Sequence, residues 1–376
     1  MEEMVKLGDV LDYEQPTKYI VESTDYSDTF KIPVLTAGKT FILGYTDENK
    51  GVFDNLPVII FDDFTTAFHY VDFPFKVKSS AMKILKPAKE KADLKFLYYK
   101  MQTISMDTNL HKRYWISKYS QVEIPLPPLA TQQKIAAILD AADELRQKDK
   151  TLVAKYDELT QALFLNMFGD PVTNPKGWEF KVLNDIINQK PDNGFFAKNN
   201  LYSTEGMPIV WLSDFIDRLY IKTTGLKRVL TTQRDEKYIL KYGDALFCRS
   251  SLTVEGIGKC AIVPIETNEA IIFECHIIRL RFNLKVISPE FFRFLTNTKY
   301  FRGEVMKNAK TSTMTTISQE GISNIKIPLP NLKLQNQFAE RVKAIEEQKS
   351  IAQASAIKSE ELFNSLLQKA FNGELV

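Results

Sequence analysis

Cysteine is scarce in this chain. Cys248, Cys260 and Cys275 are the only three in 376 residues, their spacing fits no CxxC pair, and an odd count points to a reducing compartment. All three read as small buried hydrophobes. The sequence has no run of about 18 apolar residues, so no helix of the kind that spans a membrane is expected. The opening Met1-Glu-Glu-Met-Val-Lys-Leu-Gly-Asp9 is too charged for a signal peptide. These absences place the protein in the cytoplasm, with no membrane partner.

Catalytic strings are equally sparse. Gly256-Ile-Gly-Lys259 comes nearest to a phosphate loop, but Thr253 stands where its first glycine should be and Cys260 where a serine or threonine should follow. His69, His111 and His276 are scattered without zinc-helix spacing. Neither a Gly-x-Ser-x-Gly elbow nor an Asn/Asp-Pro-Pro-aromatic string is present. Pro191-Asp192 invites a nuclease reading, yet the Glu-x-Lys candidates that follow it lie in helical segments far along the chain, so chance is the better explanation. The chain is therefore expected to hold no catalytic residue, no metal and no cofactor of its own. Net charge is only +2, with +4 concentrated in residues 178–324. Binding of a polyanion by bulk charge is excluded, and any such contact must come from local patches.

What the chain does have is a long internal repeat. Ile124-Pro-Leu-Pro-Pro-Leu-Ala-Thr-Gln132 returns as Ile327-Pro-Leu-Pro-Asn-Leu-Lys-Leu-Gln335, an offset of 203, and 14 of the 45 positions from 124 to 168 recur identically. So long a period implies two large copies of one unit rather than a solenoid. Proline cannot sit inside a helix, so each proline string starts one: Thr131 to Phe168, ended by Gly169-Asp-Pro171, and Leu334 to Phe371, ended by Asn372-Gly373. In the first, Ile135, Ile138, Ala142, Leu145, Leu152, Tyr156, Leu159 and Leu163 form a heptad seam interrupted by Asp149. In the second the seam is Phe338, Val342, Ile345, Ala352, Leu362, Leu366 and Phe371.

The regions before the helices repeat more faintly. Lys6-Leu-Gly-Asp-Val10 matches Val182-Leu-Asn-Asp-Ile186, and Ile32-Pro-Val-Leu35 matches Met207-Pro-Ile-Val210. Short β-rich runs follow in each, then an amphipathic helix, Asp93 to Thr103 or Pro289 to Asn297. The predicted fold is α/β (α+β): two similar β-rich domains, 1–121 and 171–324, each followed by a long helical segment, 122–170 and 325–376. The helices are expected to pair antiparallel as a coiled coil with a pseudo-twofold internal repeat.

Basic and hydroxyl side chains cluster in the loops, where they suit phosphate gripping and base-edge contacts. In the first region these are Lys39, Thr40, Thr65, Thr66, His69, Lys112, Arg113 and Tyr114. In the second they are Lys227, Arg228, Arg249, Ser250, Lys259, Lys310, Thr311 and Thr313. Any one of these could be an ordinary solvated loop residue, and Arg249 could simply pair with Glu255. Two further functions compete with DNA reading: a stand-alone adenine methyltransferase, which the missing Pro-Pro string opposes, and a coiled-coil adaptor.

Taken together, the duplicated Ile-Pro-Leu-Pro-x-Leu-x-x-Gln string, Lys6-Leu-Gly-Asp9, Tyr242-Gly-Asp-Ala-Leu-Phe247, Gly258-Lys-Cys-Ala-Ile262 and Lys369-Ala-Phe-Asn-Gly-Glu-Leu375 resemble the specificity subunits of type I restriction-modification systems. The first region departs from the pattern, with Leu56-Pro-Val-Ile-Ile-Phe61 in place of the Tyr-Gly-Asp string. The resemblance implies two target recognition domains on double-stranded DNA and two spacer helices that dock partners. Those partners would be two modification subunits using S-adenosylmethionine to methylate adenine, and ATP- and Mg-dependent restriction subunits. Two readers facing one side of B-DNA would read half-sites about 34 Å, or roughly 10 bp, apart.

Overall fold

The structure is a computed structural model describing residues 3–36, 40–88, 92–106, 114–216, 218–264, 267, 269–311 and 314–375. It divides into two compact units, Met1–Thr151 with Ala352–Val376, and Leu152–Ile351. Each unit thus takes part of each long helix.

The first unit orders Leu11–Glu14, Met82–Pro87, Val58–Asp62 and Phe68–Val71 into an antiparallel sheet. A second sheet sets Ile32–Leu35 between antiparallel Ile42–Thr46 and parallel Lys76–Val77. The second unit repeats both sheets, with Tyr202–Ser203 added as an extra edge strand on the second. Asp192–Asn193, Ile277–Leu280, Ala245–Cys248 and Cys260–Ile262 form its antiparallel sheet. Met207–Val210 lies between antiparallel Lys227–Val229 and parallel Ile272–Phe273. Val58–Asp62 therefore occupies the place of Ala245–Cys248, although the first region lacks the Tyr-Gly-Asp string.

Each unit also opens alike. Glu3–Lys6 pairs antiparallel with Glu123–Leu126, and Phe180–Val182 with Lys326–Pro328. The proline strings are thus strands before they are helix starters. Two-stranded ribbons tolerate this because a proline at the outer edge has no ladder donor to lose. A short helical turn follows each opening strand, Leu7–Val10 or Leu183–Ile186, burying Leu7 and Val10 or Leu183 and Ile186.

The long helices run Leu129–Phe168 and Leu332–Phe371, 40 residues each. Gly169 ends the first at φ +80°, where a β-carbon would also meet the Pro175 ring at 2.7 Å. The glutamine that closes each repeated string explains why it recurs. Gln132 is fully buried, its Oε1 accepting from the Asp93 amide at 2.8 Å and its Nε2 donating to the Pro127 carbonyl at 2.7 Å. Gln335 does the same, accepting from the Ser288 amide at 2.7 Å and donating to Pro330 at 2.8 Å. Asp93 and Ser288 are the N-cap residues of Leu94–Gln102 and Pro289–Thr296. One side chain thus ties the proline string, the long helix and the short helix together.

Within each unit the long-helix segments run antiparallel. In the first, the Arg146 guanidinium reaches Glu360 at 3.0 Å and lies 3.8 Å over the Phe363 ring, and Asp149 accepts from Ser355 at 3.0 Å. In the second, Lys349 meets Asp157 at 2.5 Å and Phe168 packs edge-on against Phe338.

The expected seam needs correction at alternate positions. Ile135 and Ala142 are buried, and Asp149, Tyr156 and Leu163 partly so, but Ile138, Leu145, Leu152 and Leu159 are 37, 45, 43 and 49% exposed. Leu139, Arg146, Val153 and Thr160, each one residue later, turn inward instead. On the terminal helix Phe363 is buried while Leu362 is 46% exposed. Arg146 is accommodated because the facing helix supplies both an aromatic face and a carboxylate.

Two stability predictions follow from this packing. Phe363→Ala should cost about 3–5 kcal/mol in a denaturant melt, whereas Leu362→Ala, one position away, should cost less than about 1 kcal/mol. Gln132→Ala should destabilise by roughly 1–3 kcal/mol because it strands the Asp93 amide, while Gln133→Ala, on the exposed face, should be silent in the same experiment.

Candidate nucleic-acid interface

The repeated topology has one hairpin whose tip carries sequence-predicted residues in both copies. In the first unit it joins Val58–Asp62 to Phe68–Val71. Asp62 Oδ1 accepts from the amides of Phe64 at 2.7 Å and Thr65 at 2.9 Å, folding the tip back on itself. Thr66 sits at φ +59°, strain that a β-branched residue seldom carries outside functional loops. His69, on the returning strand, stacks on Phe41 with centroids 4.1 Å apart. Burial holds the pKa of its imidazole below the ordinary value. That stack brings the Thr40 loop against the Thr65–Thr66 hairpin. Lys39, Lys112 and Arg113 lie outside the described residues.

Tyr114 is a correction. It is fully buried and its amide donates to the Asp63 carbonyl at 2.9 Å, just as the buried Ile317, 203 residues on, donates to the Arg249 carbonyl at 3.0 Å. Tyr114 is a core residue that pins the hairpin rather than a surface contact. Asp63, at the place of Arg249, is buried as well, accepting from the Trp115 amide at 2.8 Å and facing Lys83 at 3.6 Å.

In the second unit the hairpin joins Ala245–Cys248 to Cys260–Ile262, and its tip is longer. Ser250–Ser251 leaves the tip to pair with Thr315–Thr316, which pairs in turn with Lys310–Thr311. Residues 64 to 66 positions apart in sequence thus pair in one three-stranded ribbon, with Ser250 opposite Thr316 and Thr316 opposite Lys310. Arg249 enters this ribbon exposed, its guanidinium 3.5 Å from the Cys275 carbonyl. Among the described residues neither Arg249 nor Lys310 has a carboxylate partner, so the alternative pairing of Arg249 with Glu255 does not form. Thr313 lies outside the described residues.

The remaining predicted residues fall elsewhere. Arg228 is held by Glu269, at 2.9 and 2.5 Å, and Lys227 lies over the Trp211 ring at 4.9 Å, both on the sheet built around Met207–Val210. Lys259 is half-buried on the returning side of the hairpin, where its carbonyl accepts from the Cys248 amide at 2.9 Å. It lines a concavity with Arg218, Glu255 and Arg302. Asp192 is a structural carboxylate, gripped bidentately by the buried Arg279 at 3.0 and 2.6 Å.

Sequence reasoning missed the brace behind the second tip. Arg302, on the helix Lys299–Asn308, donates to the carbonyls of Val254 and Ile257. Gly258, at φ +64°, lies so close to Val305 that a β-carbon would approach it to 2.4 Å. Only the position of Arg302 on that helix, facing the tip, reveals the role, and no local string encodes it.

The family model for the type I restriction modification DNA specificity domain matches residues 2–154 and 175–359. The EcoR124I/EcoR124II specificity subunit of Escherichia coli is 34% identical over 360 residues, covering 90% of this chain and 85% of that one. The S subunit of a type I restriction-modification system from M. genitalium shares the fold at a TM-score of 0.61, with 16% identity over 99% of this chain and 96% of that one. A chain from a type I R-M system solved for its complex assembly and conformational transition superposes at 0.54, with 19% identity over 99% and 98%. A duplicated strand topology, a duplicated buried glutamine and a match across most of its length make this chain a member of the type I restriction-modification DNA specificity family.

Proposed function

We propose that this chain reads a bipartite, asymmetric DNA target without catalysing any step itself. In this reading residues 1–121 recognise one half-site and 171–324 the other, while 122–170 and 325–376 space the readers and dock partners. The observation that carries the proposal is the pair of equivalent hairpin tips with unlike chemistry. One topology presents Phe64-Thr65-Thr66 in the first unit and Arg249-Ser250-Ser251, joined by Lys310 and Thr311, in the second. Equal scaffolds bearing different side chains suit two different half-sites. Arg249 would make a bidentate contact with guanine, and Lys310 would hold a phosphate.

The partners in this reading are double-stranded DNA, two modification subunits carrying S-adenosylmethionine for adenine methylation, and restriction subunits using ATP and Mg, in the cytoplasm. Ile138, Leu145, Leu152 and Leu159 support the docking role. They recur every seven residues, and each is at least 37% exposed, as expected of side chains covered only in an assembly.

Three experiments test this reading. Exchanging residues 1–121 for those of a relative should change one half of the methylated motif, read by long-read methylome sequencing, and leave the other half intact; a change in both halves, or in neither, would contradict it. Leu145→Asp with Leu159→Asp should leave the melting temperature of the chain within a few degrees and release the modification subunits in size-exclusion chromatography. Competition binding should show Arg249→Ala losing about 1–3 kcal/mol at a single base position, and Lys310→Ala weakening all sequences alike with a salt slope shallower by about one.

A further inference from the structure

Alternation along the second unit's ribbon sorts its side chains onto two faces. Thr315 is buried, its hydroxyl 3.1 Å from that of Thr311, while Thr316 and Lys310, in register with Ser250, are exposed. The residue after Ser251 is Leu252 and the residue before its partner Thr315 is Met314, so these two leave the paired strands at the same end of the ribbon. Leu252 is 84% exposed, the most of any large hydrophobic in the described residues, and Met314 is 38% exposed.

This apolar pair is not the end of a floppy loop. The Arg302 guanidinium bridges two carbonyls of the segment, the Ser251 hydroxyl accepts from the Thr253 amide at 3.1 Å, and Gly258 is wedged against Val305. The equivalent tip of the first unit also exposes a large hydrophobic, Phe64, at 44%. Each hairpin tip thus carries an exposed apolar side chain, one residue beyond the pinned position in the first unit and three beyond it in the second.

We propose that Leu252, with Met314 beside it, reads the C5-methyl group of a thymine in the second half-site. The inference rests on the DNA-reading role proposed above and adds the base that this part of the ribbon selects. A β-ribbon is narrow enough to enter the major groove, where thymine alone among the four bases presents a methyl group. Arg249, Lys310 and the hydroxyls of Ser250 and Thr316 flank the apolar pair with the cationic and hydrogen-bonding groups that phosphates and base edges require. Duplex DNA therefore matches the charge of the rim, and the thymine methyl matches its apolar end.

The test uses the chain assembled with its modification subunits on a duplex carrying its own methylation motif, with each thymine of the second half-site replaced in turn by deoxyuridine. Removing one buried methyl should weaken binding about fourfold at one position. Leu252→Ala should weaken binding to the unmodified duplex by a similar factor and abolish the difference between thymine and uracil there. Leu252→Ser should do the same, and unchanged melting temperatures for both variants would confirm folding. A second half-site with no thymine on either strand would overturn the proposal. So would wild-type complex indifferent to every deoxyuridine, or Leu252→Ala that retains the discrimination or weakens all sequences equally. Failure of the underlying reading looks different, because binding would then show no sequence dependence in any variant.

Discussion

The buried glutamine amide is the constraint on which the rest of the architecture depends. Gln132 and Gln335 each accept from the N-cap amide of a short helix and donate to a proline carbonyl at the foot of a long one. An amide side chain is one of the few groups that can do both in a site sealed from water, since a carboxylate could not donate and an apolar residue would strand two backbone groups. The proline string supplies rigidity, pairing as a strand before the helix begins. The proline strand, the long helix and the short helix are therefore tied together twice in one chain.

From that anchoring, each unit projects the same hairpin from its four-stranded sheet. Backbone hydrogen bonds from Tyr114 to Asp63 and from Ile317 to Arg249 pin the hairpin at the residue where it leaves the sheet. Beyond the pin the two copies diverge. The first tip is short and folded on Asp62, while the second is long, braced by Arg302 and extended into a ribbon. Under the proposed reading, a common pin with unlike tips would let specificity differ between the two units without disturbing the core.

Much of this was legible in the sequence because the repeat is covalent and ungapped through both long helices. The helix ends at Gly169 and Gly373 follow from the glycine positions, both of which take positive φ. The seam was legible only in part. Leu145, Leu152 and Leu159 invite an apolar reading, but the facing helix offers Phe363 and Glu360, and Arg146 fills that position better than a leucine. Tyr114 was misread because Lys112-Arg113-Tyr114 looks like a basic surface string. Its place is that of buried Ile317 at the offset of 203 already set by the proline strings. The 250–251 and 310–316 segments could not be joined from sequence, because a pairing of two-residue strands 64 to 66 positions apart leaves no periodicity.

The central claim is that the paired hairpin tips are the DNA-reading surfaces. Its most direct test is a cryo-electron microscopy structure of the chain with its modification subunits on a duplex containing the methylated motif. The account predicts the second unit's ribbon, Arg249 to Leu252 with Lys310 to Thr316, in the major groove of one half-site, and the Phe64–Thr66 tip at the other. DNA contacted through the Lys227–Val229 sheet, with both hairpin tips in solvent, would contradict it.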